Sequence, residues 1–246
     1  MIKPILTGFF IAAFLIPTQT LFSNDDFGFR FVRIRYEDNG RMRWWGRAGM
    51  GAWATDWPES DYNLHDAIER TTNIRIMGEP LVFSFLDSSI FEYPVVYITE
   101  PGYWQTNDEE VKNMQDYFAR GGFMIIDDFH DYGGFGRQWY NMYQNMKRVF
   151  PDKEPVELKP DHPIWSIFYD VDPVEAPSTK AYESFGRYDD QYYAIFDDDG
   201  RIMCVICYNQ DIGDGWEHPF GRRILEEAST ASFQMGINFI MYALTH

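Results

Sequence analysis

From Phe29 onward the chain switches between two hydrophobic spacings. "FRFVRIRY", Phe29 to Tyr36, alternates apolar and polar positions and predicts a strand. "NLHDAIERTTNI", Asn63 to Ile74, puts Leu64, Ala67, Ile68 and Thr71 on one helical face. "LVFSF" and "PVVYIT" read as strands. "TNDEEVKNMQDYFARGG" reads as a helix: Thr106 and Glu109 have capping-box spacing, acids fill the first turn, and Gly121 or Gly122 ends it. "FMIIDD" is a buried strand, and "RQWYNMYQNMKRVF" an amphipathic helix stopped by Pro151. "YYAIFDDDGRIMCVICYN" predicts a hairpin turning at Asp199-Gly200. "SFQMGINFIMYALTH" predicts a buried closing helix. Strands alternating with helices predict an α/β sandwich around a mostly parallel sheet. No linker, repeat or low-complexity tract interrupts residues 24–246, so a single domain is expected. The loop from about Glu37 to Tyr62 is too long for a simple βα turn, and long ordered loops are often functional.

The N-terminus breaks this pattern. Lys3, the apolar run Ile5 to Ile16, the Pro17 break and a small polar stretch have the order of a secretory signal peptide over residues 1–23, cleaved between about Thr20 and Asn24. The run of about 12 residues is too short to span a bilayer comfortably. A periplasmic or secreted protein with no transmembrane span after cleavage is therefore expected. The 246-residue chain has a formal net charge of -17, which argues against nucleic acid or an anionic membrane as partner. Its 18% aromatic content allows a large core and some aromatic surface. The two cysteines, Cys204 and Cys207, lie three apart on a predicted strand and should face opposite ways, so a disulfide between them is not expected. A redox C-x-x-C normally sits at a helix start, and a zinc site needs a second ligand pair that is absent here.

In an open parallel sheet, ligands bind beyond the carboxyl ends of the strands. Four predicted strands end in "RWWGRAGMGAWATDWPESD", "EPGYW", "DDFHDYGG" and "NQDIGDGWEH". Each segment carries acids, aromatics and glycines. Asp56, Glu100, Asp127, Asp128, Asp211, Asp214 and Glu217 are therefore expected along one edge, with His130 and His218 in the same loops. Asp127 or Asp128, with Asp211 or Asp214, would form an acidic floor, and Trp53 or Trp216 a wall; Trp57 and Trp104 lie in the same segments. The plainer alternative is that the acids accept loop amide hydrogen bonds and the glycines serve only for positive φ. Trp44, Trp45, Trp139 and Trp165 read as packing residues, His162 and His246 as structural, and His65 as solvated. No nucleophile elbow or phosphate-cradling loop appears. Paired carboxylates suit general acid–base work, and Asp127, Asp128 or Asp211 with His130 or His218 suits a divalent cation as cofactor.

At these motifs the chain resembles a bacterial family, domain of unknown function 4159. "FVRIRY", "WATDWP", "EPGYW", "RGGFMIIDDF", "VFPDKEPVEL", "DHPI", "FDDDGRIMCVICYNQDIGDGWE" and "GINFIMYALTH" carry the resemblance, over about Phe29 to His246. It implies a fold like class I glutamine amidotransferases and trehalose-utilisation-type proteins, a flavodoxin-like three-layer αβα sandwich, and no established activity. In amidotransferases of this fold the catalytic cysteine sits at a strand-to-helix elbow. The matching turn here offers Asp128, Phe129 and His130, with no thiol or hydroxyl, which puts thiol amidase chemistry in doubt. Three functions follow in order: binding of a small polar ligand, a carbohydrate or cation, at the acidic edge; a carboxylate- or metal-dependent hydrolase; and a cell-envelope interaction protein using exposed aromatics.

Overall fold

In chain order the elements are β1 (Val32–Ile34), β2 (Glu37–Asp38), α1 (Glu59–Thr71), β3 (Leu81–Phe83), β4 (Val95–Thr99), β5 (Trp104–Gln105), α2 (Asp108–Ala119), β6 (Phe123–Asp127), α3 (Arg137–Val149), β7 (Val156–Glu157), β8 (Gln191–Phe196), β9 (Ile202–Tyr208), α4 (Ile212–Glu217) and α5 (Glu226–Thr245). The computed structural model describes residues 28–38, 40, 49–131, 135–177, 191–219 and 224–246. The expected export segment, Trp44 and Trp45 lie outside the described residues.

Seven strands form one sheet in the order β3-β1-β4-β6-β9-β8-β7, and β2 pairs with β5 in a separate ribbon. The strands from β3 to β9 run parallel, whereas β8 lies antiparallel to both β9 and β7. Counted among themselves, the five parallel strands stand in the order 2-1-3-4-5. Every residue of β4, β6 and β9 is buried, as unbroken apolar runs in a parallel sheet covered on both faces should be.

The side chains of these strands divide between two cores. Tyr97, Ile125 and Val205 pack with Leu64 and Ile68 of α1, Trp216 of α4 and Phe239 of α5. Val96, Ile98, Met124 and Ile126 pack with Met114 and Phe118 of α2 and Met142 and Met146 of α3. Helices therefore cover both faces of the sheet. Cys207 belongs to the first core and Cys204 to the second, and both are free thiols. No helix of the described residues is long and apolar enough to cross a membrane.

Some local expectations shift. α1 starts at Glu59, four residues early, and stops before Ile74. The capping box of α2 lies one residue later than expected: Asn107 accepts from the Glu110 N–H (2.9 Å), and Glu110 accepts from the Asn107 N–H (3.0 Å). Two overlapping pairs satisfied the same spacing, and Thr106 instead hydrogen-bonds Asn145 and Arg148. His65 is buried rather than solvated. Its Nε2 accepts the Phe31 N–H at 2.8 Å, and burial lowers its pKa to about 4. The neutral ring tethers α1 to the strand it crosses. The hairpin turns at Asp199-Gly200 as expected, with Gly200 at φ 84°.

Candidate functional site

Among the described residues, four that are not glycine have left-handed backbones: Asp56 (φ 60°), Glu100 (φ 50°), Asp128 (φ 57°) and Asn209 (φ 58°). Three of them are the first residue after a central parallel strand: Glu100 after β4, Asp128 after β6 and Asn209 after β9. Asp56 lies in the turn leading from β1 into α1. Asp and Asn tolerate this conformation better than most residues, and Glu less well. The chain thus turns sharply at the carboxyl edge of each strand and brings three acids to one end of the sheet. Non-glycine residues in such conformations gather at functional sites.

A buried arginine positions the Asp56 turn. Arg33 of β1 has no solvent exposure. Its Nε donates to Asp61 Oδ1 and Oδ2 (3.1 Å each), and one terminal nitrogen donates to the carbonyls of Trp53 (3.2 Å) and Thr55 (2.8 Å). The other donates to Ser60 Oγ (2.9 Å) and Asp61 Oδ1 (2.5 Å). Burial alone would disfavour the charge, but Asp61 outweighs it and raises the guanidinium above its ordinary value. The sequence reading missed Arg33 because strand alternation suggests a solvent-facing residue, whereas β1 lies inside a sheet covered on both faces. That position is itself the signal: a charge there needs a buried partner.

Asp127 and Asp128 are neighbours with different work. Asp127 is fully buried and accepts the N–H groups of Ile212 (3.2 Å) and Gly213 (2.9 Å) and the Tyr97 hydroxyl (2.9 Å). It ties the start of α4 to the end of β6, the structural role the sequence left open. Burial raises its pKa to about 6, with these donors pulling the other way. Asp128 accepts the Thr99 hydroxyl at 3.1 Å, and its Oδ1 lies 3.5 Å from His130 Nε2. Its carboxyl and those of Asp211 and Asp56 are pushed well above the ordinary range by burial first, then by neighbouring carboxylates. Burial takes Glu100 to about 8. At an effective dielectric constant of about 20, two full charges about 5 Å apart repel by roughly 3 kcal/mol. Burial and this repulsion both favour the protonated forms of the clustered carboxyls.

The described residues contain two sets of three possible metal donors. Ligand atoms of Asp128, His130 and Asp211 lie within 4.8 Å of one another, and so do those of Asp214, Glu217 and His218. The second set follows from spacing: positions i, i+3 and i+4 share one helical face. Asp211 also caps α4, accepting the Asp214 N–H at 2.9 Å. Gly213 permits the close approach of Asp56, since a Cβ there would lie 2.6 Å from the Tyr97 hydroxyl oxygen and 2.9 Å from Asp56 Oδ2. That Oδ2 is sealed from solvent and has no hydrogen-bond partner among the described residues.

The expected aromatic wall is not built by Trp216. This residue is fully buried, its ring centroid 5.3 Å from Tyr97 and 6.1 Å from Phe31, and its indole N–H donates to the Ser232 carbonyl (2.9 Å). It is core, because α4 turns it under the sheet edge toward α5. Trp104 is core as well. Trp53 is half-buried against the α2–α3 side. Asp131 caps α3 through the N–H groups of Gln138 and Trp139. Clefts elsewhere, one of about 610 Å³ beside Asp170 and Glu226 and one of about 410 Å³ beside Phe118 and Arg201, have no three-donor convergence among the described residues.

No match was found among curated proteins. The model of the family described as Domain of unknown function (DUF4159) matches residues 30–244, a span containing every residue of the edge just described, and the chain belongs to that family.

Proposed function

We propose that this domain binds a divalent cation at Asp128, His130 and Asp211 and through it a small, oxygen-rich polar ligand. The observation that carries the reading is the convergence of one imidazole nitrogen and two carboxylate oxygens within 4.8 Å at the carboxyl edge of the sheet. Two carboxylates and one imidazole suit a first-row divalent ion such as Mn²⁺ or Zn²⁺. A cation also offsets the burial and the like-charge repulsion that raise these carboxyls. The left-handed turn at Asp128 adds support, because it aims the acid where this architecture gathers ligands. The strand order 2-1-3-4-5 supports a flavodoxin-like assignment. The kinship with amidotransferase-like proteins is part of the same proposal: Asp128 holds the elbow after β6, and both thiols are buried within β9. Export rests on the order of Lys3, the apolar run and Pro17.

A second reading is a hydrolase that uses the protonated carboxyls directly. It is favoured by Glu100, held at about 8 by burial, which makes it a carboxylic acid at neutral pH. Thermal unfolding of chelator-treated protein with added Mn²⁺ or Zn²⁺ tests the first reading. A cation present at about 100 times its Kd adds about 2.7 kcal/mol of stability. A clear rise in Tm for the wild type, lost in Asp128→Asn and in His130→Ala, is expected. No shift with any divalent ion removes the cation reading and leaves the hydrolase.

A further inference from the structure

A cation at Asp128, His130 and Asp211 leaves the other donor set unused. The second set, Asp214, Glu217 and His218, sits on the same short helix and one turn along, since Asp211 caps the turn that contains Asp214. Successive turns of a helix are about 5.4 Å apart, so two cations held by these sets would be neighbours. Asp56 adds a further carboxyl beside both, its charge acting on Asp128 and Asp211 of the first set and Asp214 of the second acting on it. Asp56 comes from another element, the turn before α1, and leans on Gly213, which lies between Asp211 and Asp214 in the chain. Its Oδ2 has neither solvent nor, among the described residues, a hydrogen-bond donor, a costly state for a buried polar atom unless something else satisfies it. The hydrogen bonds of Arg33 to Trp53, Thr55, Ser60 and Asp61 fix the turn that carries it. The carboxylates whose charges act most strongly on Asp56 are Asp214 and then Glu217, both of the second set, with Asp127 after them.

We propose that the edge is a two-cation centre. One divalent ion is held by Asp128, His130 and Asp211, the other by Asp214, Glu217 and His218, and the Asp56 carboxylate bridges them. The proposal rests on the cation reading above and extends it to a second ion. Paired ions about 3.5–4 Å apart clamp two oxygens of one ligand, so the ligand class is a small oxyanion or carboxylate. Such a ligand enters this acidic edge only after both cations are bound.

Chelator-stripped protein titrated with Mn²⁺ tests the proposal, with metal content measured after gel filtration. Two Mn²⁺ per chain, and an electron paramagnetic resonance spectrum of exchange-coupled Mn²⁺, are expected for the wild type. The double variant Glu217→Gln/His218→Ala should retain one Mn²⁺ with an uncoupled spectrum. Asp56→Asn should lose the coupling and weaken the second equivalent at least 10-fold. One equivalent in the wild type overturns the pair and leaves the single-cation reading intact; no bound Mn²⁺ overturns both. If a variant does not fold, the wild-type stoichiometry and spectrum decide the question.

Discussion

Two buried groups of charge meet at Tyr97 and are built on opposite terms. On one side, the Arg33 guanidinium lies over its ring at 4.9 Å, with each guanidinium nitrogen matched to an acceptor and Asp61 as counter-charge. On the other side the Tyr97 hydroxyl donates to Asp127, behind which stand Asp128, Asp211, Asp214 and Asp56. The first group is electrically balanced and closed. The second carries one sign of charge and leaves an oxygen without a partner among the described residues. Full burial of a polar residue does not by itself mark a site; the proposed cation site rests on the unbalanced group.

The largest expected effect is on the balanced side. Arg33→Met leaves Asp61 buried without a counter-charge, and removing one member of a buried pair costs about 3–5 kcal/mol. Urea unfolding measures this, and a loss below about 1 kcal/mol would mean that the web contributes little. The next effect divides two adjacent acids. Asp127→Ala removes the acceptor of three hydrogen bonds and should cost about 2–4 kcal/mol, since buried donors are left unpaired. Asp128→Asn keeps an acceptor for the Thr99 hydroxyl and a side chain that tolerates the left-handed backbone, so it should change stability by no more than roughly 1 kcal/mol while abolishing the cation-induced rise in Tm. Equal behaviour of the two variants would dissolve the distinction between a structural and a ligand-facing aspartate.

A smaller effect concerns pH. Glu100 goes from an ordinary value of 4.5 to about 8 in the fold, and Asp127 from 3.8 to about 6. A carboxyl raised on folding binds its proton more tightly in the native state, so its stabilisation is full at low pH and is lost as pH rises through the folded value. His65 acts in the opposite sense. Lowered from 6.5 to about 4, it contributes stability above the unfolded value that is lost as pH falls. The two trends oppose each other between about pH 4 and 6.5. Above that the histidine contribution is full and constant, and Glu100 alone should cost cation-free protein up to about 1.4 kcal/mol per pH unit until about pH 8, with Asp56, Asp128 and Asp211 adding losses of the same sign. Urea midpoints at half-unit pH intervals check this, and saturating Mn²⁺ should flatten the slope.

How much of this was legible follows from the kind of interaction. The strands, the helices and the sheet direction came from local periodicity, which burial on one or both faces imposes directly. The edge followed from topology, because acids at successive strand ends must share an edge in a parallel sheet. What stayed hidden depends on partners far apart in the chain. Arg33 and Asp61 are 28 residues apart, and no local pattern announces their pairing. His65 looked solvated because its helix is polar around it, and only the crossing over Phe31 buries it. Trp216, flanked by glycine and acid, had the surroundings of a site residue, yet helix phase turned it into the core. For Asp127 and Asp128 a structural role was foreseen as one alternative, but adjacency along one strand could not say that Asp127 would be the acid to fill it.

The left-handed turns at Asp56, Glu100, Asp128 and Asn209 have a consequence for engineering and for divergence. Glycine would occupy each of these backbone positions with less strain, by as much as roughly 1–2 kcal/mol apiece. A screen that rewards thermal stability alone should therefore drift toward glycine at Glu100 first, where the side chain suits the conformation least. Such a variant would keep its sheet and both cores while losing acids from the edge. Within the family, a sequence with glycine at these positions would mark a lineage that kept the scaffold without the proposed cation site.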